Sequence, residues 1–169
     1  MSLIPVIGLV LLLVTFPFYL PKFRVIFFPT NTEHLGYLKR HLKLTAADVV
    51  YDIGCGNGRV LKELVRNTHA RGVGIELSPL IYMAGKLNLA GTKNVKIAYG
   101  DIFKKDLRES TVLYCFLNKE VLEKLVPKFK KELSSKTKII SYIFKIPGLE
   151  EIEMVRDPKG QVLFYVYEI

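Results

Sequence analysis

The chain has 169 residues, half of them hydrophobic and 24% charged, which excludes a disordered or low-complexity protein and fits one globular domain. Two cysteines and three scattered histidines exclude a disulfide framework and offer no metal-ligand spacing. The formal net charge of +9 suits an anionic partner or a lysine-rich solvated surface, and no arginine-rich, aromatic-interleaved segment singles out nucleic acid.

Residues 3–20 run without a charge and are followed by Lys22 and Arg24. That length is at the short end of a membrane-spanning helix. Basic residues on the exit side predict a single-pass anchor over residues 1–21, an apolar helix with the remaining chain on the cytoplasmic side of the membrane. Residues 22–169 then form the soluble-facing domain. Polar residues from Thr30 to Glu33 precede Leu35, Leu38 and Leu42, which predicts a helix start.

Asp48 to Ile53 reads as a buried strand, and Arg59 to Asn67 as a helix with Val60, Leu61, Leu64 and Val65 on one face. Gly72 to Leu77 is a short strand. Pro79 opens a helix over Leu80 to Leu89. Val95 to Tyr99 and Thr111 to Leu117 are further strands, separated from the strand at Thr137 to Phe144 by an amphipathic helix over Lys119 to Leu133 that Pro127 should kink or divide. Ile152 to Arg156 and Val162 to Tyr167 flank the turn Asp157-Pro158-Lys159-Gly160, predicting a terminal hairpin. Five strand–helix alternations before a hairpin imply an α/β fold whose sheet is mostly parallel, with helices on both faces and an antiparallel edge.

The segment Asp52-Ile53-Gly54-Cys55-Gly56-Asn57-Gly58-Arg59 joins a strand to a helix through a glycine-rich turn. Glycines let backbone approach a ligand closely, and the helix start offers free N–H groups to a carboxylate. A dinucleotide fingerprint places its third glycine three residues after the second, where this chain has Arg59. Acid-x-Gly-x-Gly-x-Gly instead resembles the first motif of class I S-adenosylmethionine methyltransferases, which implies a Rossmann-like fold and that cofactor. The resemblance implies that Asp52 orients the cofactor's ammonium group, with Gly54, Cys55, Gly56 and Gly58 forming its cradle. Glu76, at the next strand end, is placed to accept bonds from ribose hydroxyls. The resemblance sets Asp101 near the adenine amino group and Leu77 and Ile102 beside it.

The layout of apolar N-terminus, Phe27-Phe28-Pro29-Thr30, helix and Asp52 motif resembles the membrane-associated lysine methyltransferases of the ATP synthase c subunit and the adenine nucleotide translocase, with their prokaryotic relatives. It departs from them in having Asn57 where aspartate is common. The resemblance implies N-methylation of lysine in a membrane-associated protein by a monomer, with Thr30 near the carboxylate end of the cofactor. Asn118, after the fourth strand, is a candidate for the acceptor amine or a helix cap. No side chain stands out as a general base, so no catalytic residue is assigned. A lipid or small-molecule acceptor, and a non-catalytic membrane-tethered binding module, are the competing readings.

Overall fold

The computed structural model describes residues 30–169. The apolar helix and anchor expected over residues 1–21 lie outside the described residues. Among the described residues no helix is long and apolar enough to cross a membrane.

Asn31 caps the first helix by accepting from the Glu33 amide at 2.9 Å, and α1 runs Thr32–Leu42 with Leu35 and Leu38 buried. The expected alternation follows: β1 Val49–Ile53, α2 Arg59–Val65, β2 Arg71–Glu76, α3 Pro79–Asn88, β3 Val95–Tyr99, a single 3-10 turn at Ile102–Lys104, β4 Val112–Cys115, α4 Lys119–Glu132 and β5 Lys138–Tyr142. The hairpin strands are β6 Glu153–Arg156 and β7 Val162–Glu168. The sheet order is β3-β2-β1-β4-β5-β7-β6. The first five strands are mutually parallel, and β7 runs antiparallel between β5 and β6.

Alternation along β1 divides the core into two layers. Val50 joins α1, α2 and Ile97 on one face. Val49, Tyr51 and Ile53 join Leu122, Leu125 and Phe129 of α4 on the other. Gly85 seats α3 against the first layer, because a Cβ there would stand 2.7 Å from Ile97 and 3.2 Å from the Gly56 carbonyl.

Two strands are shorter than their apolar runs suggest. Phe116 and Leu117 continue past the β4 ladder, and β5 stops before Ile143, which has φ +67°. That backbone conformation is strained for a β-branched residue and turns the chain out of the sheet. Pro127 does not divide α4. It is exposed, as is Glu123 four residues before it, so the carbonyl that loses its N–H partner faces water.

Candidate functional site

The strand order reverses between β1 and β4, so the crevice at the carboxyl ends of these two strands is where a ligand of such a sheet binds. Asp52 lies in register between Gly74 of β2 and Tyr114 of β4. It is 2% exposed, and its Oδ2 is buried with no hydrogen-bond partner. Burial, reinforced by the charge of Glu76, pushes its carboxyl up to about 8. An acid without a counter-charge, beside a second acid, is an arrangement that a cationic ligand would relieve.

The chain leaves β1 through Gly54, Gly56 and Gly58, with φ of 79°, 57° and 75°. These values are open to glycine and costly for other residues, so the turn needs all three. The loop is pinned by its own backbone: the Gly54 and Cys55 amides donate to the Ile75 carbonyl at 2.9 and 3.1 Å. A Cβ on Gly58 would also stand 2.6 Å from Leu89.

Glu76 ends β2, where Oε2 accepts from the Gly56 amide at 3.0 Å and Oε1 from the Ser78 amide at 2.7 Å. Each oxygen retains a lone pair for a further donor. Leu77 is partly exposed at the mouth. Asp101 caps the 3-10 turn by accepting from the Phe103 amide at 3.0 Å through Oδ1, leaving Oδ2 available, and Ile102 packs against the second core layer.

Thr30 is buried, its hydroxyl 3.0 Å from that of Tyr114. The Arg59 guanidinium donates to the Thr30 carbonyl, tying the segment before α1 to the first residue of α2. Asn118, an exposed residue, caps α4 by accepting from the Val121 amide at 2.9 Å, so its Oδ1 is used structurally. Cys55 fills the space that the missing Gly74 side chain leaves: a Cβ on Gly74 would stand 2.5 Å from its Sγ. Burial pushes the Cys55 thiol up, and the Cys115 thiol up to about 12. Both are packing groups rather than nucleophiles.

Four features of this edge were not foreseen from the sequence. His34 Nδ1 lies 2.8 Å from the Tyr142 hydroxyl across 108 residues of chain. Phe116 meets the Tyr142 ring edge-on at 4.8 Å and stacks on Phe144 at 6.2 Å. The Arg59 and Gly85 contacts complete the set. None had a local signal, since each depends on which strand ends meet.

The profile of the family described as ANTKMT methyltransferase domain matches residues 52–153, more than half of the chain. The chain belongs to this family. It is therefore a methyltransferase, and the pocket fits S-adenosylmethionine as its cofactor: a cationic tail answers the unpartnered Asp52, and a sugar answers the open lone pairs of Glu76. A protein-lysine N-methyltransferase of Saccharolobus islandicus (strain REY15A) is 30% identical over 88% of this chain and 94% of its own length. The crystal structure of an RNA methyltransferase from Salinibacter ruber, in complex with S-adenosyl-L-homocysteine, is also 30% identical, covers 84% of this chain and 94% of that one, and superposes with a TM-score of 0.77. A precorrin-6y C5,15-methyltransferase from Geobacter metallireducens, at 17% identity over 83% and 89% of the two chains with a TM-score of 0.65, shows the shared fold alone.

Proposed function

We propose that this methyltransferase N-methylates lysine in a protein substrate. The observation that carries the reading is the match, along nearly the whole of both chains, to a protein-lysine N-methyltransferase. When bound, S-adenosylmethionine supplies an already activated methyl group, so what the chain must add is mainly positioning. Asp52 meets the ammonium group, the three glycines let backbone close on the methionine-type tail, and Thr30 lies toward its carboxylate. Glu76 holds the ribose hydroxyls, the free oxygen of Asp101 takes the adenine amino group, and Leu77 and Ile102 wall the base.

The acceptor side is the aromatic group at the ends of β4 and β5, formed by Phe116, Tyr142 and Phe144, with Asn118 at its rim. Aromatic faces attract a cationic side chain, while apolar surroundings lower an amine's pKa and favour the neutral nucleophile. We read residues 1–21 as a membrane anchor that leaves the domain on the cytoplasmic side. Deleting them should release the protein from the membrane fraction.

A second reading, RNA as acceptor, draws on the Salinibacter ruber relative and the net charge of +9. One experiment separates the two: incubate the full chain with donor carrying a labelled methyl group and separate membrane and soluble lysates. Label that survives ribonuclease and appears as methyl-lysine after acid hydrolysis supports the proposal. Label removed by ribonuclease and resistant to protease establishes the RNA reading.

A further inference from the structure

We propose that the outer face of α3 docks on an anionic bilayer surface. Helices of a doubly wound sheet bury one stripe and show water the other. α3 buries Gly85, yet its outward stripe is apolar: Leu80, Met83 and Leu87 are 83%, 57% and 76% exposed. Their spacing of three and four residues puts all three on one side of the helix. A soluble surface would carry polar residues there, so the stripe asks for an apolar partner.

The charge around it selects the partner. From residue 77 to residue 100 the chain holds Lys86, Lys93 and Lys96 and no acid other than those flanking the segment, Glu76 and Asp101. Lys62 of α2 reaches the carboxyl end of α3, its Nζ donating to the Asn88 carbonyl at 2.9 Å. An apolar stripe bordered by lysines is the pattern of a helix lying in a headgroup layer, where cations near an anionic surface add to the apolar attraction. A second copy of the chain is disfavoured as occupant, because its own lysines would face these across the contact. The location agrees. α3 starts at the carboxyl edge of the sheet, directly after Glu76, and Thr30 is held at that same edge by Arg59. A membrane beneath α3 would lie beside the cofactor pocket, so an acceptor in or on that membrane would be presented to it.

The chain has no tryptophan, so a single introduced one reports its own surroundings. Leu87→Trp in the full chain, mixed with vesicles of phosphatidylcholine and phosphatidylglycerol, should shift its emission to the blue and lose most of its intensity to acyl-brominated lipid. Lys130→Trp, exposed on α4 across the sheet, should do neither. On vesicles of phosphatidylcholine alone the quenching of Leu87→Trp should fall. The proposal is overturned if Leu87→Trp stays water-like while the chain sediments with vesicles, which would leave residues 1–21 as the sole attachment. It is equally overturned if both positions are quenched alike, if quenching ignores lipid charge, or if the emission is already blue in lipid-free buffer because residues 3–20 or a second copy cover the stripe.

Discussion

Replacing Asp52 by asparagine should stabilise the ligand-free protein while weakening its grip on the cofactor. In the folded chain this carboxyl titrates at about 8, against 3.8 in an unconstrained one, so at pH 7 folding must take up a proton. At about 1.4 kcal/mol per pH unit over roughly three units, that uptake costs at most about 4 kcal/mol. The sign is fixed: the folded state binds the proton more tightly, so stability falls as pH rises from about 4 to about 8. Asp48, Asp106 and Glu151 have carboxyls held low by hydrogen-bonding partners, so their opposing contribution is complete by about pH 5 and leaves the upper window to Asp52. Asparagine cannot ionise, and the Asp52→Asn protein should melt on the order of 10 °C higher at pH 7, with little difference at pH 4. Calorimetric titration with S-adenosylmethionine in buffers of different ionisation enthalpy should show proton release near pH 7 in the parent chain and none in the variant. The variant's affinity should be at least tenfold lower. If the parent chain gains stability between pH 5 and 8, or if Asp52→Asn binds the cofactor as well as the parent, Asp52 is not an unpaired buried acid awaiting a cation.

Gly58→Ala should cost about 1–2 kcal/mol from the left-handed backbone alone, and more from the contact with Leu89, lowering both the melting temperature and cofactor affinity. Thr30→Val leaves the Tyr114 hydroxyl buried without its partner and should cost about 1–3 kcal/mol in chemical denaturation. Tyr142→Phe removes the bond to His34 and should lower kcat for methyl transfer while leaving the cofactor Kd, measured by calorimetry, unchanged.

How much was legible in the sequence follows from the range over which each feature is decided. The glycine turn, the acids at two successive strand ends and the Asp157–Gly160 turn are written in a few adjacent residues, and the structure places them as read. Asn118 is local too, and its cap on α4 is one of the two roles its position allowed. Strand ends were overestimated because an apolar run does not say where partners stop: Phe116, Leu117 and Phe144 are apolar yet lie beyond the ladder. The His34–Tyr142 bond, the Arg59 tie to Thr30 and the seat that Gly85 gives the Gly56 carbonyl join distant segments, and no spacing announces them.

The departures from ordinary folding rules are concentrated on one edge of the sheet. An unpartnered buried acid beside another acid, three left-handed glycines in five residues and a β-branched residue at positive φ all lie at or just past the carboxyl ends of β1, β2 and β5. The opposite edge holds ordinary turns, such as Thr45 bonded to Asp48 and Thr111 bonded to Asp48 and Val49. Its left-handed non-glycine residues, Lys43 and Asn67, are a helix cap and an asparagine, places where that conformation is mild. Local conflict gathered around one pocket is what selection for binding leaves behind, because a ligand resolves it and a closed core would not. The free energy withheld from folding at Asp52 is recovered when a cation arrives, so the same residue that lowers the stability of the empty protein raises its affinity. Stability and binding should therefore move in opposite directions at Asp52 and in the same direction at Gly58, where the turn serves both.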